Sequence, residues 1–244
     1  MNKKKTVLVT GCASGIGYST VSKYLQAGYR VIGIDKSECS LTGDFNFYSC
    51  DLSSETAVKE TFKQIEYNYN SINYLISCAG ILYDKRRRTI EEMEINEWYS
   101  VLNANLLSSM IVTRETIPFL KNCSNDRAIV FVSSDQALYP KNKSSAYATS
   151  KGGLISFSKA CAKELIKYGI RVNTVAPASV KTNFIMKLAD TSEEMEQIFQ
   201  KENEKMPLGI IHPEEVAELL FFLGTEKSNR ITGQTIIIDS GLYL

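Results

Sequence analysis

Short apolar runs recur along the chain at 6–10, 30–35, 45–50, 73–77, 128–133, 171–175 and 235–239, each the length of one buried strand. Most segments between them carry the helical period, with apolar positions three and four residues apart. Strand and helix in alternation predict an α/β fold with a central, mainly parallel seven-stranded sheet. Right-handed crossovers then put helices on both faces, the doubly wound arrangement. Ligands of such sheets bind beyond the carboxyl ends of the strands. Gly11, Asp35, Asp51, Ala79, Gly80, Ser133, Ser134 and Pro177 all fall there. At 244 residues and 44% hydrophobic composition the chain can bury the core this requires, and no Pro/Gly/Ser-rich break divides it.

The first strand, Thr6 to Thr10, runs into Gly11-Cys12-Ala13-Ser14-Gly15-Ile16-Gly17, after which a helical pattern begins. Glycines permit a tight turn and let a pyrophosphate approach the backbone, while the helix start offers unpaired N–H groups and partial positive charge. This is a Rossmann-type dinucleotide site, although the spacing is Gly-x-x-x-Gly-x-Gly and not the commoner Gly-x-Gly-x-x-Gly. The second strand ends at Asp35, where a carboxylate can accept hydrogen bonds from the adenosine ribose and repel a 2′-phosphate. That favours NAD(H). Lys36, a basic residue able to pair with a phosphate, keeps NADP(H) open.

A second constellation lies mid-chain. If Ala146 to Tyr168 is a helix, Tyr147 and Lys151 stand one turn apart on one face. A free tyrosine titrates near about 10, and an adjacent ammonium favours the phenolate, which makes a proton-transfer group. Alone, Tyr-x-x-x-Lys reads first as an amphipathic helix with a snorkelling lysine. Together, Thr10-Gly11-x-x-x-Gly15-x-Gly17 and Tyr147-x-x-x-Lys151 closely resemble the short-chain dehydrogenase/reductase (SDR) family over essentially the whole chain. Ser134 holds the position of that family's serine, thirteen residues before the tyrosine, and Asn105-Leu106 matches its asparagine.

The resemblance implies one domain over 1–244, with a cofactor half of about 1–125, a catalytic and substrate half of about 126–244 and a substrate loop of about 183–208. It implies catalytic roles for Asn105, Ser134, Tyr147 and Lys151. Tyr147 exchanges the proton, Ser134 holds the substrate oxygen, Lys151 lowers the phenol pKa and binds the nicotinamide ribose, and Asn105 holds a relay water. The cofactor set comprises Gly11, Ser14, Gly15, Ile16, Gly17, Asp35, Lys36, Asp51, Leu52, Cys78, Ala79, Gly80, Tyr147, Lys151, Pro177, Val180 and Thr182. Cys78 stands where the family has asparagine, Ala178 where it has glycine after Pro177, and Ser240 replaces a further glycine. Ser134, Asp135, Gln136, Tyr139, Lys141 and Phe184 are candidates for the substrate end. The acidic stretch Glu193-Glu194-Met195-Glu196 reads either as part of a lid or as a surface helix.

Net charge is +1, so nothing calls for nucleic acid or an anionic membrane. Lys85 to Arg88 is the densest cationic cluster, either steering an anionic substrate or forming a solvated loop. The apolar run after Lys3-Lys4-Lys5 is too short for a signal segment, and six scattered cysteines with a single histidine read as reduced thiols, not zinc ligands. The expectation is a cytoplasmic homo-oligomer, a tetramer or dimer by resemblance, built on helices from about Asn96 to Leu120 and Ala146 to Tyr168. The activity expected is NAD-dependent oxidation of a secondary alcohol or reduction of its ketone. The alternatives are an NADP-dependent 3-oxoacyl-carrier-protein reductase and a non-catalytic dinucleotide sensor.

Overall fold

The computed structural model describes residues 4–82, 88–124, 126–182 and 191–244. Seven strands form one sheet: β1 (Thr6–Thr10), β2 (Arg30–Asp35), β3 (Phe45–Ser49), β4 (Tyr74–Ser77), β5 (Arg127–Val132), β6 (Ile170–Pro177) and β7 (Thr235–Ile238). Their order is β3-β2-β1-β4-β5-β6-β7, with every adjacent pair parallel. The strand order reverses between β1 and β4, whose last residues, Thr10 and Ser77, lie side by side. That opens a crevice at the carboxyl ends.

The inner strands β1, β4, β5 and β6 are buried on both faces because helices cover the sheet on either side, whereas edge strand β3 leaves Asn46 and Ser49 exposed. Leu8, Ile32, Ile34, Leu75, Ile129, Phe131 and Val172 face one layer, where they pack with residues of α2 (Glu55–Asn68), α4 (Ser108–Lys121) and α5 (Ser145–Leu165). The intervening Val7, Val9, Val31, Tyr74, Ile76, Val130 and Val175 face the other, with α1 (Gly15–Gln26) and α7 (Pro213–Gly224). Ser54 caps α2 by accepting from Ala57 N–H, and Thr191 caps α6 (Ser192–Lys205) by accepting from Glu194 N–H. Ser14 makes no such side-chain bond at the start of α1, so the first N–H groups of that helix stay available to the crevice.

Two expectations need correction. The helix expected from about Asn96 to Leu120 is interrupted: α3 (Ile95–Leu102) passes into a π-helical turn at Asn103–Leu107 before α4. A π turn inserts an extra residue into the hydrogen-bond ladder and shifts the helical face, and this one turns Asn105 inward to full burial. The helix expected to reach Tyr168 ends at Leu165, followed by a single 3-10 turn closed by Gly169 in the left-handed region, φ 68°. No helix among the described residues is long and apolar enough to cross a membrane.

Candidate active site

The carboxyl ends of the strands border a cleft of about 820 Å³. All seventeen residues expected to hold a dinucleotide, from Gly11 to Thr182, line it. The glycine loop is tight enough to exclude any other residue. A Cβ on Gly17 would stand 1.9 Å from the Gly11 carbonyl oxygen, and Gly11, at φ 68°, would meet the Ala79 backbone at 2.8 Å. Thr182 lies over the loop, 3.2 Å from where a Gly15 Cβ would be.

The Asp35 carboxylate accepts from Ala13 N–H and Ser37 N–H, both at 3.0 Å, so it is held at the cleft wall beside the glycine loop. Asp51 accepts from Ser53 N–H and Oγ, and these bonds hold its carboxyl below the usual range, with Lys36 adding a smaller pull. Burial pushes the Cys78 thiol up to about 12, so it stays a neutral, weak hydrogen-bonding group beside Thr20. The connection between β1 and β4 is made one residue later, where Ala79 N–H donates to Thr10 Oγ1. Ala178 keeps the sheet intact by donating to the Ile238 carbonyl. A glycine turn packed too closely for a Cβ at Gly11 or Gly17, an open helix start and a fixed carboxylate one strand away fit a dinucleotide.

Tyr147 and Lys151 share the inner face of α5, with the ammonium 6.0 Å from the phenol ring centre. Lys151 is 3% exposed; its Nζ donates to the Val132 carbonyl at 2.9 Å, and burial lowers its pKa to about 8. Ser133 Oγ donates to the Lys151 carbonyl and fixes the helix against β5. Asn105 lies behind the lining. Its Oδ1 accepts from Ile81 N–H at 2.7 Å, and its Nδ2 donates to the Ile81 carbonyl and to Ser150 Oγ. Asn105 thus clamps the segment after Gly80 against α5.

Ser134 leaves β5 in extended conformation and caps the short turn Asp135–Ala137, its Oγ accepting from Gln136 N–H. Asp135, Gln136 and Lys141 line the cleft as expected. Tyr139 does not; it is 46% exposed and stacks on Tyr243 instead. Phe184, and Lys85 to Arg87 of the cationic cluster, lie outside the described residues. Arg88 pairs with Glu94 and, at 3.3 Å, with Glu97.

Sequence reading did not find Ser179 and Glu202, both of which line the cleft. Glu202 accepts from Ser179, Lys141 and Lys205. Burial opposes its charge, yet these partners outweigh it and hold the carboxyl at about 2. Nothing in an acidic surface-type helix distinguishes Glu202 from its neighbours; only the folded position of α6 does.

This fold and cleft define a doubly wound α/β protein whose cleft fits a dinucleotide. A family model described as short chain dehydrogenase matches residues 5–193, and the chain belongs to that family. The 3-oxoacyl-[acyl-carrier-protein] reductase FabG of Thermotoga maritima is 34% identical over 251 aligned positions, covering 98% of each chain. The corresponding Bos taurus reductase is 33% identical, again over 98% of each. The ligand-free aldohexose dehydrogenase of Thermoplasma acidophilum superposes with a TM-score of 0.90 at 29% identity, covering 98% of this chain and 94% of that one. A short chain dehydrogenase family protein from Francisella tularensis gives 0.88 at 33% identity, covering 98% and 99%. The protein is therefore an NAD(P)-dependent oxidoreductase acting on CH–OH or keto groups, and the sensor reading gives way.

Proposed function

We propose that the protein transfers a hydride between NAD(H) and a secondary alcohol or its ketone, with Tyr147 as the general acid/base. The observation that carries this is the buried amine of Lys151 beside the Tyr147 ring at the cleft wall. A cation in low dielectric favours the phenolate, so Tyr147 can take the alcohol proton in oxidation and return it in reduction. Ser134 holds the substrate oxygen and stabilises charge developing there. Asn105 keeps the Ile81 backbone and Ser150 in register behind the pair. Bound nicotinamide would supply the redox half of the reaction. Gly11 to Gly17 would hold its pyrophosphate, Asp35 the adenosine ribose, and Val180 and Thr182 the carboxamide.

Asp35 supports NAD(H), because a fixed carboxylate repels a 2′-phosphate. The relatives from Thermotoga maritima and Bos taurus favour the second reading, an NADP-dependent 3-oxoacyl-carrier-protein reductase. Parallel fluorescence titration with NADH and NADPH separates the two. Tighter NADH binding is expected, and tighter NADPH binding would move the thioester reductase to first place. Tyr147→Phe is expected to abolish turnover while leaving NADH affinity within about twofold; retained turnover would overturn the mechanism.

Self-association is also part of this reading. Ile95 and Tyr99 on α3, and Ile166 and Tyr168 beyond α5, are 60%, 55%, 51% and 36% exposed, and an apolar surface on these helices suits a second copy of the chain.

A further inference from the structure

We propose that Tyr243, near the far end of the chain, is a positioning residue for Ser134, acting through the buried carboxylate of Asp135. The proposal rests on the reading above, in which Ser134 holds the substrate oxygen.

Ser134 Oγ donates to Asp135 Oδ1 at 2.8 Å, and Gln136 N–H donates to the same oxygen at 2.8 Å. Asp135 is only 2% exposed, so its charge must be satisfied within the protein. Its other oxygen, Oδ2, accepts from the Tyr243 hydroxyl at 2.8 Å, a contact spanning 108 residues of sequence. Tyr243 is itself aimed by stacking on Tyr139, ring centres 4.0 Å apart and planes 21° apart. Burial, and then the Asp135 charge, push the Tyr243 phenol up, which keeps it a donor.

The chain follows an unusual path to make this contact. Ser240 and Gly241 are consecutive left-handed residues, φ 53° and 80°, and the reversal is pinned by Gly241 N–H donating to Asp239 Oδ1. A left-handed serine is strained, and such strain persists where surrounding structure requires the conformation.

A serine hydroxyl has one proton. Here it points to Asp135, whereas stabilising a substrate oxygen requires that it turn toward the substrate. The Tyr243 bond draws charge from the carboxylate and weakens its hold on that proton. Without the phenol, Asp135 binds the serine proton more tightly and its side chain loses one of its anchors. Tyr243 thus sets how readily Ser134 donates.

The test compares wild type, Tyr243→Phe, Ser134→Ala and the double variant, with ethyl acetoacetate and dihydroxyacetone as probe ketones. Tyr243→Phe keeps the ring stacked on Tyr139 and removes only the hydroxyl. Its kcat is expected to fall about tenfold with NADH affinity unchanged, and no further loss is expected in the Ser134→Ala background. An equal loss in both backgrounds, or a kcat within twofold of wild type, would overturn the proposal. Crystal structures of wild type and Tyr243→Phe give a readout independent of turnover. An Asp135 carboxylate that shifts or rotates in the variant while keeping Ser134 Oγ bound to it supports the proposal, and an unchanged Asp135–Ser134 pair refutes it. If wild type reduces neither ketone, these two are not its substrates, and the crystal comparison decides the positioning role. Tyr139→Ala, which removes the ring that aims Tyr243 at Asp135, provides a second variant should Tyr243→Phe not fold; the same direction of loss is expected, and a kcat within twofold of wild type would overturn the proposal.

Discussion

Lys151 shows most directly how one side chain serves the site at the expense of the fold. Its folded pKa of about 8 lies below the ordinary 10.5, so between these values the unfolded chain binds more protons. Stability therefore rises with pH across that window, and below about 8 the full burial penalty, on the order of 3 kcal/mol, is present. Lys151→Met should be inactive, and the difference in its urea-unfolding free energy from wild type should shift in the variant's favour as pH falls from 10 to 8. A pH-independent difference would place the amine elsewhere. Tyr147, Lys151 and the glycines were legible in the sequence because spacing along one helix or one turn fixes their geometry. Glu202 and Tyr243 were not, because Glu202 reaches the cleft, and Tyr243 reaches Asp135, through long-range packing that leaves no local pattern.

Among the elements, α6 depends most on a single interaction. Glu202 joins it to Lys141, on the segment before α5, and to Ser179 after β6. Its carboxyl, at about 2 against an ordinary 4.5, contributes stability that is present above 4.5 and lost as pH falls toward about 2. The contribution is on the order of 3 kcal/mol. Glu202→Gln should remove that part of the acid dependence and speed protease cleavage within α6 at neutral pH; cleavage at the wild-type rate would show the tie to be dispensable. Strands were legible to within a residue or two at their ends because the runs buried on both faces are continuously apolar. The break at Asn103–Leu107 was not, because α3 and α4 carry helical periodicity on either side and a one-residue insertion shifts the face without erasing the pattern.

At the scale of the whole molecule, the cleft stands on a sheet whose far half is fastened by a buried cation. Arg171 on β6 donates to the carbonyls of Leu223 and Thr225 and to Ser228 Oγ, and pairs with Asp126 at 3.2 Å. It joins β5, β6 and the end of α7. Arg171→Leu leaves the Asp126 carboxylate without its cation and the two carbonyls sharing only Ser228 Oγ as donor, and should cost about 3–5 kcal/mol, read from denaturant midpoints, while activity per folded molecule is retained. A loss under 1 kcal/mol would mean that water replaces the guanidinium. The doubly wound topology was legible from the alternation of elements, whereas this fastening joins positions more than fifty residues apart.

The buried amine beside Tyr147 also has a consequence for covalent chemistry. Burial lowers its pKa, so at mildly alkaline pH more of it is unprotonated than of an ordinary lysine. It lines a cleft roomy enough for a dinucleotide. A small aldehyde or activated ester entering that cleft meets a competent nucleophile at mildly alkaline pH, and a bound dinucleotide would shield it. The same burial that tunes proton transfer makes Lys151 a selective site for labelling and for irreversible inhibition.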